Sequence, residues 1–203
     1  MLEGTTIVVT PLIALMKDQV EQLKKRKVPA AFIHSGLSPR AFRSILDNSL
    51  YGAYRFLYVS PERFRSTEFI NYLQGIRVGL LAVDEAHCIS QWGFDFRPAY
   101  LELNAVRDTI GREVPVIALT ATATPKVLSD IKEHLALQSP AVFQQSFTRD
   151  NLNYIVLNEH DRRSRMIKAL KNVGGSAIVY TRNRRATVDI ARFLNQNGIS
   201  ADF

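Results

Sequence analysis

Three times in this chain a short apolar run ends on Thr-Pro or Ser-Pro and leads into helical periodicity, at Thr10-Pro11, Ser60-Pro61 and Thr124-Pro125. Ser38-Pro39 repeats the cap-then-proline pattern. A hydroxyl side chain ahead of a helix can satisfy free N–H groups, and proline in the first turn has no N–H to lose. Strands that alternate with helices in this way argue for a parallel sheet covered on both faces. The predicted strands are Thr5 to Val9, Ala30 to Ile33, Arg55 to Val59, Leu80 to Val83 and Val116 to Leu119. Helices are predicted from Leu12 to Leu23, from Arg40 to Leu50 and from Lys126 to Leu135. Another opens at Ser60-Pro61, with Glu62 and Arg63 in its first turn.

One of these strands carries chemistry. Leu80 to Val83 reads as a fully buried run, and it ends on two adjacent carboxylates, Asp84 and Glu85. Ligands of open α/β sheets sit outside the carboxyl ends of strands. Successive side chains at a strand end point in different directions, so the two acids can divide their labour. In nucleotide hydrolases one carboxylate holds Mg²⁺ and a second polar group positions the attacking water. Exposed N–H groups at the Thr/Ser-Pro helix starts also suit phosphate, although ordinary capping explains each of them alone. Lys24-Lys25-Arg26-Lys27 closes its helix as a solvated basic end favoured by the dipole. His34, His134 and His160 have no metal-ligand spacing with Cys88.

Composition narrows the class. The 203 residues are 46% hydrophobic and 22% charged, a soluble globular balance. The net charge of +7 permits a polyanionic partner without requiring one. Cys88 is the only cysteine, which excludes an internal disulfide and fits a reducing cytoplasm. No apolar run approaches membrane-spanning length, and no stretch at the start reads as a signal peptide.

Asp84-Glu85-Ala86-His87 resembles the Walker B box of superfamily-2 helicases. The following Cys88-Ile89-Ser90-Gln91-Trp92-Gly93-Phe94-Asp95-Phe96-Arg97-Pro98 resembles the aromatic-rich loop of RecQ-family DNA helicases. DEAH alone is a weak match, whereas DEAH joined to SQWG and DFRP is specific. The family usually has histidine where this chain has Phe94, and a phenyl ring can stack on a base but cannot titrate. VVTPLIALMKDQ is similar to helicase motif Ia, VSPERF to the next DNA-contacting motif, and ALTATAT to motif III. Thr181-Arg182 resembles motif IV.

The resemblance implies a RecA-like fold and ATP-driven unwinding of DNA with 3′ to 5′ polarity, in repair or recombination. By the same resemblance, Asp84 binds Mg²⁺ through water and Glu85 orients and deprotonates the attacking water. His87 links the nucleotide site to motif III through Thr120 or Thr122. Thr10, Pro11, Ser60, Arg63, Thr181 and Arg182 fall in DNA-contacting motifs. Gln91, Trp92, Phe94, Phe96 and Arg97 form the DNA-sensing loop, its aromatics offering a platform for single-stranded DNA and its arginine a phosphate contact. Plain core aromatics and a structural ion pair are the competing readings. The implied partners are single-stranded DNA and duplex junctions, and the implied location is the cytoplasm, on the nucleoid if the source is bacterial. Two other functions compete: a non-hydrolysing nucleic-acid-binding module on a degenerate ATPase fold, and an RNA helicase of the DEAH or DEAD class. The SQWG-x-DFRP loop argues against the RNA helicase.

No G-x-x-x-x-G-K-[ST] segment occurs in the chain. Such a loop cradles the phosphates of a bound nucleotide. The expectation is therefore a first RecA-like domain over residues 1–145 that lacks its P-loop strand. The start of a second such domain is expected over residues 146–203, with Tyr154 to Leu157 and Ala177 to Tyr180 as strands. Helices are expected from Asp161 to Lys171 and from Thr187 to Asn197. Unpaired sheet edges invite pairing with another chain. We expect the isolated chain to self-associate or to be marginally stable, and a monodisperse monomer with a cooperative high-temperature melt would contradict this.

Overall fold

The computed structural model describes residues 3–93, 95–145 and 150–203. The chain divides into two compact units, residues 1–142 and 143–203.

The first unit is built on five parallel strands: β1 (Thr5–Val9), β2 (Ala30–Ile33), β3 (Phe56–Val59), β4 (Val78–Val83) and β5 (Val116–Ala118). Their spatial order is β2-β3-β1-β4-β5. Val9 lies beside Val59 on one flank and beside Val83 on the other, so three strands finish level. The helices are α1 (Ile13–Lys25), α2 (Pro39–Leu50), α3 (Thr67–Gly75), α4 (Leu103–Ile110) and α5 (Pro125–His134).

Strand side chains alternate between faces, and the two faces are covered unequally. Ile7, Val9, Leu57, Val59, Leu81 and Val83 pack with Phe42, Phe69, Leu103 and Ile131 from α2 to α5 in one large core. On the opposite face a smaller cluster joins Met16 and Val20 of α1 to Ala30 and Tyr58. Leu80 and Ala82 alternate with buried Leu81 and Val83 and are only half-buried. Leu80 to Val83 is therefore not the fully buried run its sequence suggests, because α1 leaves the β4 end of that face thinly covered.

The caps also divide. Ser38 and Thr124 accept hydrogen bonds from the backbone N–H groups of Ala41 and Val127, as the Ser/Thr-Pro pattern predicts. Thr10 does not cap α1, whose N-cap position is Leu12. Ser60-Pro61 opens only a short 3₁₀ turn, Pro61–Arg65. Ser66 then caps α3, a helix the sequence reading did not place. α4 was likewise not anticipated.

The second unit contains α6 (Arg162–Asn172) and α7 (Arg184–Gln196), capped by Asp161 and Asn183. Neither Tyr154 to Leu157 nor Ala177 to Tyr180 forms a strand, contrary to the sequence reading. A strand exists only through its ladder partner, and neither run has one among the described residues. Ile155, Val156, Ile178 and Tyr180 are exposed.

Arg107 of α4 is buried and ties two helices together. Its guanidinium donates to the carbonyl oxygens of Leu135 and Ala136 just past the end of α5, and to Arg112. Burial, and then the nearby Arg112, pushes this guanidinium below its ordinary pKa. Arg107→Met keeps the length but leaves those carbonyls without a donor, a loss of roughly 2–3 kcal/mol. A urea titration should show the transition midpoint falling accordingly, and an unchanged midpoint would contradict this role.

Candidate nucleotide and nucleic-acid site

The site grows from the end of β4. Asp84 N–H donates to Val9 O at 2.8 Å, and Leu119 N–H donates to Val83 O at 2.8 Å, so both neighbours hold the strand to its last residue. The chain then turns sharply. Glu85 adopts a left-handed backbone, φ 47° and ψ 44°. For a residue with a side chain this conformation costs on the order of 1–3 kcal/mol and persists only where the surroundings over-determine it. Here they do. Asp84 Oδ1 accepts from Glu85 N–H at 2.9 Å. Ala86 N–H donates to Leu119 O, and Cys88 N–H donates to Glu85 O. The buried Tyr100 hydroxyl donates to Asp84 O at 2.9 Å.

The turn brings the Glu85 carboxylate to His87, with Oε2 3.2 Å from Nδ1. The same ring nitrogen lies 3.0 Å from Thr120 Oγ1. A proton on Nδ1 serves both acceptors, whereas a lone pair there would face the carboxylate. The network therefore assigns the proton to Nδ1. Thr122 joins through its backbone N–H, which donates to Thr120 Oγ1 at 3.2 Å. Of the two threonines proposed to meet His87, Thr120 touches it and Thr122 stands one hydrogen bond behind.

The loop from Ser90 to Arg97 is closed at its base on this turn. Arg97 N–H donates to Cys88 O, and Gly93 N–H donates to Ser90 O. A Cβ on Gly93 would stand 2.2 Å from His87 O, so no side chain fits there. Ser90 Oγ donates to Asp130 of α5 and accepts from Trp92 N–H. Trp92 is 68% exposed, with the Lys126 ammonium 3.6 Å from its ring centroid. Gln91 is exposed and Phe96 half-buried. Arg97 pairs with Asp95 at 2.9 Å. Phe94 lies outside the described residues.

The other sequence-predicted contacts are placed differently. Thr10 and Ser60 sit at the ends of β1 and β3, on the same sheet rim as Asp84, but both hydroxyls are buried and have no hydrogen-bond partner among the described residues. Pro11 is half-buried. Arg63 donates to His34 O and lies over the Phe42 ring, so its guanidinium is spent within the protein. In the second unit Thr181 Oγ1 bonds to Thr187 Oγ1, and Arg182 is exposed beside Arg184 and Arg185 in the first turn of α7. Sequence reasoning missed Tyr100, Lys126 and Asp130. Only Lys126 left a signal, a cation in a helix's first turn where the dipole disfavours it.

A family model described as DEAD/DEAH box helicase matches residues 2–131. The chain belongs to this helicase family. It is 42% identical over 202 residues to the ATP-dependent DNA helicase RecQ of Bacillus subtilis (strain 168), covering 99% of this chain and 34% of that protein. It is 38% identical over 200 residues to the RecQ helicase of Pasteurella multocida (strain Pm70), covering 98% of this chain and 32% of that protein. The chain thus spans about a third of the length of these curated relatives. Among solved structures, Mycobacterium smegmatis helicase Lhr bound to ssDNA and AMP-PNP superposes with a TM-score of 0.65 at 18% identity, over 97% of this chain and 29% of that one. That likeness shows a RecA-like fold. In this helicase chain, the acids, His87 and Thr120 occupy the segments that the DEAH and ALTATAT motifs define.

Cys88 sits inside the turn, and burial, then the Asp95 charge, pushes its thiol up to about 11. That leaves roughly a hundredfold less thiolate at neutral pH than an ordinary cysteine has. Ellman's reagent should react with it slowly at pH 7.5 and rapidly in guanidinium chloride. Fast reaction in the folded protein would contradict the burial.

Proposed function

We propose that this chain is part of an ATP-dependent 3′ to 5′ DNA helicase of the RecQ type, acting in DNA repair or recombination. The observation that carries the reading is the Glu85–His87–Thr120 cluster, fixed by backbone bonds at a strand end and continuous with a loop that exposes Trp92. Acid–base chemistry and a base-stacking surface share one turn of chain.

Asp84 offers carboxylate oxygen at the rim, a donor that suits Mg²⁺. This hard cation takes one or two protein carboxylates and completes its shell with water and substrate phosphates. Among the described residues no group of three or more acidic, histidine or cysteine side chains forms a larger cage. Asp84 is thus the residue to hold Mg²⁺, which when bound neutralises charge on the phosphates. Glu85 orients the attacking water and takes its proton. His87 fixes the Glu85 carboxylate and ties it to Thr120, so that a change at the acids reaches the segment leading into α5.

Single-stranded DNA is the polymer this surface suits. An indole face stacks on any base, worth about 1–3 kcal/mol per base. Arg97 supplies a phosphate contact by leaving Asp95, and Arg182, in the second unit, offers a separate exposed one. The Thr10 and Ser60 hydroxyls are buried, their N–H groups donate to Val59 O and Ile33 O, Pro11 has no N–H, and Thr181 is engaged within its own turn, so a contact of these residues with DNA would require their segments to open. Arg63 serves the fold in this arrangement, and a role on DNA would require it to leave His34 O. Self-association through the outer edge of β5 belongs to the same reading, as does a cytoplasmic location. Among the described residues no helix is long and apolar enough to cross a membrane.

The 203-residue chain has no P-loop segment, and by itself it is expected to show no DNA-stimulated ATP hydrolysis. In an extended protein that carries this segment together with a P-loop and the rest of the helicase core, Glu85→Gln should lower DNA-stimulated hydrolysis by about 10²-fold or more while DNA binding persists. Turnover by the chain alone that Glu85→Gln abolishes, or turnover in the extended protein that survives Glu85→Gln, would overturn this assignment.

A further inference from the structure

Trp92 is the only tryptophan of the chain, and one face of its ring already has an occupant. The Lys126 ammonium lies 3.6 Å from the indole centroid although both side chains are largely in solvent. Lys126 follows Pro125 in the first turn of α5, where the helix dipole disfavours a cation and where no acidic residue offsets it. It takes part in no ion pair among the described residues, so the ring is its one described partner. Four residues further along the same helix, Asp130 accepts the Ser90 hydroxyl, and that hydroxyl in turn accepts Trp92 N–H. α5 therefore holds the loop at its base and covers its aromatic face.

We propose that Lys126 is a positioning residue that occupies the stacking face of Trp92 in the strand-free protein. A single-stranded nucleic acid then takes that face by exchange, the ammonium passing from the ring to a phosphate. This inference rests on the reading of Trp92 as a base-stacking residue. The physical order of strengths favours the exchange. A cation over an exposed ring is held weakly. A base stacked on the same ring is held more strongly, and the freed ammonium gains a phosphate instead of bare solvent. The cover keeps the indole oriented between encounters and costs the incoming strand little.

The single tryptophan makes this measurable by its fluorescence, with the 203-residue chain, acrylamide as quencher and an oligothymidylate as strand. Without strand, Lys126→Ala should raise the acrylamide quenching constant by up to about half, since the ring is already 68% exposed and the ammonium shields only one of its faces. With strand, the slope of log affinity against log salt should become shallower by about 0.7, the loss of one phosphate contact to a single strand. Lys126→Arg should restore both, since a guanidinium also stacks and also binds phosphate. An unchanged quenching constant in Lys126→Ala would overturn the cover, and an unchanged salt slope would overturn the exchange. A strand that binds without altering Trp92 emission would defeat the stacking reading itself. The strand-free quenching arm decides the cover independently of that result.

Discussion

The left-handed turn at Glu85 is the constraint on which the rest of the site depends. A strand that ended in ordinary geometry would send the second carboxylate away from His87. The positive φ brings it back, and the cost is borne by bonds from three directions: Asp84 Oδ1 beneath, Leu119 O at the side and the Tyr100 hydroxyl from the returning loop. Those bonds in turn need β4 to sit between β1 and β5 with level ends. The order of the sheet is thus a condition on where one carboxylate points.

The same turn explains why acids and aromatics behave as one unit. Residues 84–89 form its wall, and the loop from Ser90 closes back onto Cys88 O and Asp84 O. Gly93 lies too close to His87 O to accept any side chain. A shift of His87 would therefore push on the loop at its narrowest point. α5 completes the frame, since it begins five residues after Thr120 and ends under Arg107. Between its ends lie Lys126 and Asp130, its contacts with Trp92 and Ser90.

Much of the first unit was legible in the sequence because its signals are local. β1 and β2 carry the bounds their β-branched and apolar runs imply, and Ser38 and Thr124 cap as hydroxyl residues before proline should. A link from His87 to Thr120 or Thr122 followed from a family pattern, and a sequence separation of 33 hides the His87–Thr120 contact from any spacing argument. Where the reading failed, the deciding contacts were tertiary. Thr10 precedes a helix but sits too early to cap it, since Leu12 is the N-cap. Leu80 and Ala82 are as apolar as Leu81 and Val83, and only the placement of α1 makes them half-exposed. The runs at 154–157 and 177–180 have strand composition without a neighbour to pair with. Tyr100 and Asp130 bear no mark in the sequence, because their roles exist only once the loop has folded back.

Thr10 and Ser60 carry one more implication. Each is buried with no hydrogen-bond partner for its hydroxyl among the described residues, at the ends of two strands that lie side by side. Such a group is a standing penalty of about 1–3 kcal/mol, and a methyl in its place would fit the same space. Heat tolerance alone, as a criterion of choice, would favour valine at the one and alanine at the other. Two hydroxyls kept on the rim that also bears Asp84 are a measure of how much durability this sheet forgoes there.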